Sequence, residues 1–202
     1  MTSTENKPEI YGLVLAGGKS VRMGHDKSVA SWHGKPHRYY LADLLREFCS
    51  SVFISCRQEQ VGEMEAGYTT LPDTVEGMGP MSGLLTAFNQ HPDKAWLVTA
   101  CDLPLLDKAT ITYLINNRKQ QSIATTYESP HDGLPEPLIT IWEPSSYEVL
   151  KQKANEGFRC PRRVLINNNV TILKPPSPHA LMNANTPEDA AAIHEILNKT
   201  SY

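Results

Sequence analysis

The chain has 202 residues and a formal net charge of −3, enough for one sizeable α/β domain with its own apolar core. The slightly acidic balance speaks against a general nucleic-acid binder, whose electrostatic footprint is basic. Four scattered cysteines, Cys49, Cys56, Cys101 and Cys160, form no C-x-x-C pair, which argues against a zinc framework or disulfide scaffold and fits free thiols in a reducing cytosol. The polar stretch Met1 to Glu9 has no apolar signal region, and no apolar run is long enough to span a bilayer, so a soluble, cytoplasmic protein that contacts no membrane is expected.

Residues 1–9 read as a mobile tail, and residues 10–202 as a single domain. The apolar run Ile10–Leu15 predicts a first strand. Pro36 suits the first turn of a helix whose stripe is Tyr40, Leu41, Leu44, Leu45 and Phe48. Ser51–Cys56 reads as a second strand and Tyr68–Leu71 as a short third one. Met81, Leu84, Leu85 and Phe88 recur at helical spacing. Ala95–Ala100 is continuously apolar, as expected of a strand buried on both faces. Asp107 predicts a helix cap ahead of Ile111, Leu114 and Ile115. Ser122–Tyr127 and Leu138–Trp142 are further strands, Ser145 to Arg163 has a mixed pattern, and Val170–Leu173 is a late strand. Thr186-Pro187-Glu188-Asp189 is a helix start: cap, first-turn proline, and acids at the positive end of the dipole.

Strands alternating with helices predict an α/β fold, a three-layer, mostly parallel, doubly wound sheet of Rossmann-like type. In such sheets ligands bind outside the carboxyl ends of the strands. Leu15-Ala16-Gly17-Gly18-Lys19-Ser20-Val21-Arg22-Met23-Gly24-His25-Asp26-Lys27 leaves the first strand at that edge. Gly17 and Gly18 let backbone N–H groups approach phosphate oxygens, and Arg22 and Lys27 add positive charge for the same anion. Gly18-Lys19-Ser20 imitates the end of a P-loop, but that motif requires glycine where Leu13 stands. Adjacent glycines also fail the dinucleotide fingerprint G-x-G-x-x-G.

This segment resembles the signature of the molybdenum cofactor guanylyltransferases, members of the wider nucleotidyltransferase group that includes the sugar-nucleotide pyrophosphorylases. The resemblance runs from about residue 10 to about residue 197. It implies a nucleotidyltransferase fold and an enzyme, dependent on Mg²⁺, that transfers GMP from GTP to the terminal phosphate of molybdenum-molybdopterin. Pyrophosphate leaves and a guanine dinucleotide form of the cofactor results. The partners implied are GTP, molybdenum-molybdopterin and transient contacts with proteins that make or accept the cofactor.

The resemblance assigns Leu15, Ala16, Gly17, Gly18, Arg22 and Lys27 to the triphosphate. Asp102, in Ala100-Cys101-Asp102-Leu103-Pro104, matches the family's metal-binding aspartate. A carboxylate at a strand end can hold Mg²⁺ while leaving positions for water and phosphate. Asp73 and the turn Gly79-Pro80-Met81-Ser82-Gly83 resemble family segments that hold the nucleotide and face the purine edge. Ser55 stands where the best-known members carry Asn, and a hydroxyl offers fewer hydrogen-bonding positions than an amide. Asn183 and Asn185 match an Asn-x-Asn-Thr-Pro segment that contacts the second substrate or completes the metal shell. Arg159, Arg162 and Arg163 form a small basic cluster; the second substrate that the resemblance implies carries a terminal phosphate, an anion suited to an arginine fork, and Arg163 is the expected receiver. Glu136-Pro137 replaces the His-Pro of several members. Transfer from CTP, transfer to a sugar or polyol phosphate, and a non-catalytic nucleotide-binding accessory role are the alternatives.

Overall fold

The computed structural model describes residues 9–18, 29–75 and 77–200. Arg22 and Lys27 lie outside the described residues, as do residues 1–8. Seven strands form one sheet: β1 (Ile10–Leu15), β2 (Ser51–Cys56), β3 (Thr69–Pro72), β4 (Ala95–Ala100), β5 (Ala124–Glu128), β6 (Pro135–Trp142) and β7 (Val170–Leu173). The helices are α1 (His37–Arg46), α2 (Pro80–Gln90), α3 (Lys108–Asn116), α4 (Ser146–Asn155), α5 (Pro161–Ile166) and α6 (Pro187–Thr200). Short 3₁₀ turns occupy Gln58–Glu63 and Pro178–Leu181. Among the described residues, no helix is long and apolar enough to cross a membrane.

The strand order is β3-β2-β1-β4-β6-β5-β7. All described pairings are parallel except those of β6, which runs antiparallel to β4 and β5. Alternate residues of each strand feed opposite cores. On one face Val14, Ile54, Leu97 and Ile139 meet Leu41 and Leu45 of α1 and Ile111 and Leu114 of α3. On the other, Leu13, Trp96, Val98 and Trp142 meet Leu84 and Phe88 of α2, Leu150 of α4 and Val164 of α5. Burial on both faces explains why β4 lacks a polar alternation.

The segment 145–163 resolves into two helices. Its pattern is weak because α4 buries little beyond Leu150 and Ser146, and because Pro161 restarts the chain at α5 after a short break. The cap expected at Asp107 is present, its carboxylate accepting the Thr110 N–H at 2.7 Å. Pro36 lies just before α1 rather than within its first turn, and Phe48 falls beyond the helix's end.

His37, the first residue of α1, is fully buried. Burial, reinforced by the neighbouring His33, pushes its imidazole down to about 4 from 6.5. On acidification the unfolded chain therefore takes up the proton before the folded one does. His37's contribution to stability is complete above pH 6.5 and falls away as the pH drops toward 4. Between pH 7.5 and pH 5 the loss expected from this group is about 2 kcal/mol. Urea titrations at the two pH values check this, with His37→Gln expected to flatten the dependence.

Candidate active site

Register aligns the ends of the parallel strands. Leu15 of β1 pairs with Ser55 of β2 and with Ala100 of β4, and Ser55 pairs with Leu71 of β3. The residues following each strand therefore emerge along one edge: Asp73, Arg57, Ala16 to Gly18, and Asp102. Two backbone bonds extend this alignment past the strands, Ala16 N–H to Ser55 O at 2.9 Å and Asp73 N–H to Cys56 O at 2.8 Å. Because β6 is antiparallel, its first residues, Pro135 and Glu136, reach the same edge as the end of β4.

At the β2–β3 side, Ser55 is buried and donates its hydroxyl to Asp73 Oδ1 at 2.7 Å. Burial raises the Asp73 carboxyl above its ordinary range, partly offset by the Ser55 hydrogen bond and the charge of Arg57. Gly17 faces the other oxygen, since a side chain there would begin 3.3 Å from Asp73 Oδ2. Arg57 Nη1 donates to Gly17 O at 2.6 Å. Ser55, Asp73 and Gly17 thus form one group, in which Ser55 orients Asp73 from beneath. Arg57 is absent from the sequence-derived set; its only signal is a cation directly after a strand at the ligand-binding edge.

Gly79 caps α2 with φ +57°, a left-handed conformation that only glycine adopts readily. Gly83, one turn into α2, packs directly on the sheet. A methyl group there would lie 2.3 Å from Ser55 Oγ and 2.7 Å from Leu15 Cδ2. Gly83→Ala should therefore destabilise the fold by about 1–3 kcal/mol and push Ser55 off Asp73. A lower urea midpoint, with nucleotide affinity reduced at temperatures where the variant is folded, is the expected result.

At the β4 side, the carbonyl of Asp102 accepts the Ala184 N–H at 2.9 Å. This one bond sets the Asn183-Ala184-Asn185 stretch against the end of β4. The stretch is fixed from its other end by the start of α6. Asp189 accepts the N–H groups of Asn185 and Thr186 at 3.0 and 2.9 Å, and Thr186 Oγ1 accepts that of Asp189 at 3.1 Å, a reciprocal helix cap. Burial works against ionisation of Asp189, but these N–H bonds outweigh it and hold its carboxyl below the ordinary range.

The Asn183 amide oxygen is buried and has no hydrogen-bond partner among the described residues. The Asn183 amide oxygen and the Asp102 carboxylate, on segments joined by the Asp102–Ala184 bond, are both hard-oxygen donors, the kind a magnesium ion takes. Among the described residues no group of three or more His, Cys, Asp or Glu is placed to hold a metal. A cation here would accordingly take its remaining ligands from phosphate and water, as magnesium at nucleotide sites commonly does.

Glu136 is buried, and that burial raises its carboxyl above the ordinary range. The Leu138 N–H and Arg162 work against this rise, while nearby Asp102 adds to it. Arg162 spans Asp132 at 2.8 Å and Glu136 at 3.0 Å. Arg163 turns instead to a shallow pocket lined by Glu156, Gly157, Phe158, Arg159 and Cys160, its guanidinium 5.8 Å from the Phe158 ring. The structure thus brings Arg162, rather than the sequence-assigned Arg163, into ionic contact with Glu136, the carboxylate that feels the charge of Asp102. Adjacent arginines on a helix face different ways, and the sequence alone does not distinguish them.

An edge carrying a glycine turn, a serine-oriented aspartate on one side and an aspartate with paired asparagines on the other belongs to a nucleotidyltransferase-type α/β fold. The same fold occurs in the crystal structure of molybdopterin-guanine dinucleotide biosynthesis protein A from Archaeoglobus fulgidus. That match has a TM-score of 0.77 at 22% identity and covers 94% of this chain and 99% of that one. A nucleotidyl transferase from Methanothermobacter thermautotroptrophicus matches with a TM-score of 0.73 at 15% identity, covering 95% and 99%.

The MobA-like NTP transferase domain matches residues 12–171, and the chain belongs to that family. A molybdenum cofactor guanylyltransferase from Pseudomonas paraeruginosa is 31% identical over 192 residues, covering 91% of this chain and 94% of the relative. A molybdenum cofactor biosynthesis bifunctional protein from Synechocystis sp. is 39% identical over 186 residues, covering 92% of this chain. The matched region is 54% of that relative, so the chain spans about half its length.

Proposed function

We propose that the chain transfers GMP from GTP to the terminal phosphate of molybdenum-molybdopterin, releasing pyrophosphate and forming the guanine dinucleotide cofactor. The observation that carries this reading is the Asp102–Ala184 bond. It sets a strand-end carboxylate and two asparagines at the same sheet edge as the glycine turn and Asp73. Near-full-length similarity to curated guanylyltransferases supports the choice of substrates.

The backbone N–H groups of Gly17 and Gly18, together with Arg22 and Lys27, would bind the triphosphate, while the Ala16 N–H, expected from the sequence to join them, is held by Ser55 O and shapes the turn after Leu15. Asp73, oriented by Ser55, would hold the nucleoside with the Gly79 turn against the base. Asp102 and the Asn183 amide oxygen would hold Mg²⁺. When bound, that ion would offset charge on the phosphates. Asn185 and Arg163, with Arg162 close by, would receive the second substrate. In the reaction an oxygen of the molybdopterin phosphate bonds to the α-phosphorus of GTP while the bond from that phosphorus to the pyrophosphate oxygen breaks. The attacking oxygen is already anionic, so no strong general base is needed. The chain's work is alignment and charge neutralisation.

The reading includes a single catalytic unit over residues 10–202, a cytoplasmic setting, and transient contact with proteins that supply or accept the cofactor. Pyrophosphate release with each of the four nucleoside triphosphates, with and without molybdenum-loaded molybdopterin, tests it. Turnover with GTP alone, and only with that acceptor, is expected. Turnover with CTP or with a sugar phosphate reassigns the substrates, and GTP binding without turnover makes the chain an accessory protein.

A further inference from the structure

Three successive carbonyls follow the end of β4, and each accepts a hydrogen bond from a different partner. Asp102 O takes the Ala184 N–H at 2.9 Å. Leu103 O takes His37 Nε2 at 3.3 Å, and Pro104 O takes His33 Nε2 at 2.8 Å. A carbonyl oxygen only accepts, so both imidazoles must carry their hydrogen on Nε2. From these contacts we infer that His33 and His37 are positioning residues, which fix the backbone carrying the Asp102 carboxylate relative to the segment that follows the glycine-rich loop.

The two rings are themselves held in place. His33 stacks on Tyr40 with centroids 3.8 Å apart and planes 14° from parallel. His37 is fully buried, and its backbone N–H bonds Ala30 O at 2.9 Å, closing the turn that carries His33. In the same turn, Trp32 lies against His194 of α6 with centroids 4.8 Å apart. The turn therefore touches both neighbours of the acidic site, the Leu103–Pro104 backbone directly after Asp102 and the helix that follows Asn183 and Asn185. Leu103 O also accepts the Leu106 N–H at 3.3 Å, so the imidazoles add a second donor at Leu103 and supply the donor at Pro104, tying this loop to a separate segment of the chain. Small displacements of a group that aligns reacting atoms reduce rate far more than they reduce binding.

The inference rests on the reading of Asp102 as a metal-holding group, so its test includes readouts other than turnover. His33→Phe keeps a ring against Tyr40 and removes the donor, and His33→Gln restores a donor at similar reach. His37→Phe and His37→Gln form a second pair should either His33 variant fold poorly. Three quantities are read on the full chain: hydrogen exchange of the peptide spanning residues 101–106, Mn²⁺ affinity with a non-hydrolysable GTP analogue, and steady-state kinetics. In the Phe variants exchange should quicken several-fold and Mn²⁺ affinity should fall roughly 10-fold. The kcat should drop roughly 10- to 100-fold with KM for GTP nearly unchanged. The Gln variants should recover most of each loss.

Phe variants that match the wild-type protein, Gln variants as impaired as Phe variants, or faster exchange with unchanged Mn²⁺ affinity overturn the inference. A wild-type protein that binds no Mn²⁺ and does not turn over GTP overturns the functional reading and this inference with it. A wild-type protein that does both, beside unaffected variants, overturns this inference alone.

Discussion

Asp102→Ala is expected to slow pyrophosphate release from GTP about 1,000-fold, equivalent to about 4 kcal/mol of transition-state stabilisation. The substitution removes the carboxylate and leaves the peptide unit in place. The Ala184 bond to the Asp102 carbonyl survives, so Asn183 and Asn185 keep their positions. The fold should accordingly be unaffected, with a urea midpoint close to that of the wild-type protein. KM for GTP should rise only modestly, because in the proposed function the triphosphate would also be held by backbone N–H groups and cations elsewhere. Asp102→Asn should fall nearly as far, since an amide keeps the shape but loses the charge. A variant retaining more than a tenth of the wild-type rate would reduce Asp102 to a turn residue ahead of Pro104.

Glu143→Ala is expected to destabilise the fold by about 3–5 kcal/mol. Glu143, immediately after β6, receives Arg118 through two parallel bonds, Nε to Oε1 at 2.6 Å and Nη2 to Oε2 at 2.8 Å. The two side chains are only 5% and 2% exposed. Truncating the glutamate leaves a buried guanidinium without its counter-charge, which the low-dielectric interior penalises heavily. Replacing both partners, as in Arg118→Met with Glu143→Leu, should recover most of the loss, because the desolvation penalty then disappears on both sides. Urea denaturation of the two single variants and the double variant measures this. A Glu143→Ala midpoint within about 1 kcal/mol of wild type would mean that water enters and screens the pair.

Much of the proposed site is legible in the sequence because ligands of such sheets bind at strand ends, and strand ends are local features. Ile10–Leu15 and Ala95–Ala100 are recognisable from apolar runs alone, and the structure has the same bounds. The Gly17 turn, Asp73 and Asp102 follow such runs directly. The start of α6 is equally readable, because the cap uses residues within one turn of one another.

Side chains that act across elements are not legible in this way. Ser55 reads as a ligand contact because, near the end of a strand, it stands where the resembling family carries Asn. Only the packed structure reveals that Gly83 lies over it and that its hydroxyl goes to Asp73. Arg162 and Arg163 are indistinguishable as neighbours in a string, and the rotation of α5 separates them. The direction of β6 is hidden too, since alternation looks the same in either direction. Its one clue is the short connection from Glu128 to Pro135, too short for a parallel crossover.

The sequence by itself determines the alternating strands and helices, the burial of β4 on both faces, the glycine turn and the helix caps. Each depends on residues a few positions apart and on the local preference of the backbone. The tertiary structure alone decides the order β3-β2-β1-β4-β6-β5-β7, the return of Glu136 to the Asp102 edge, and the bond that carries Asn183 and Asn185 to that edge. These depend on which apolar faces mate, an outcome of packing among all the elements at once that no single stretch of sequence encodes.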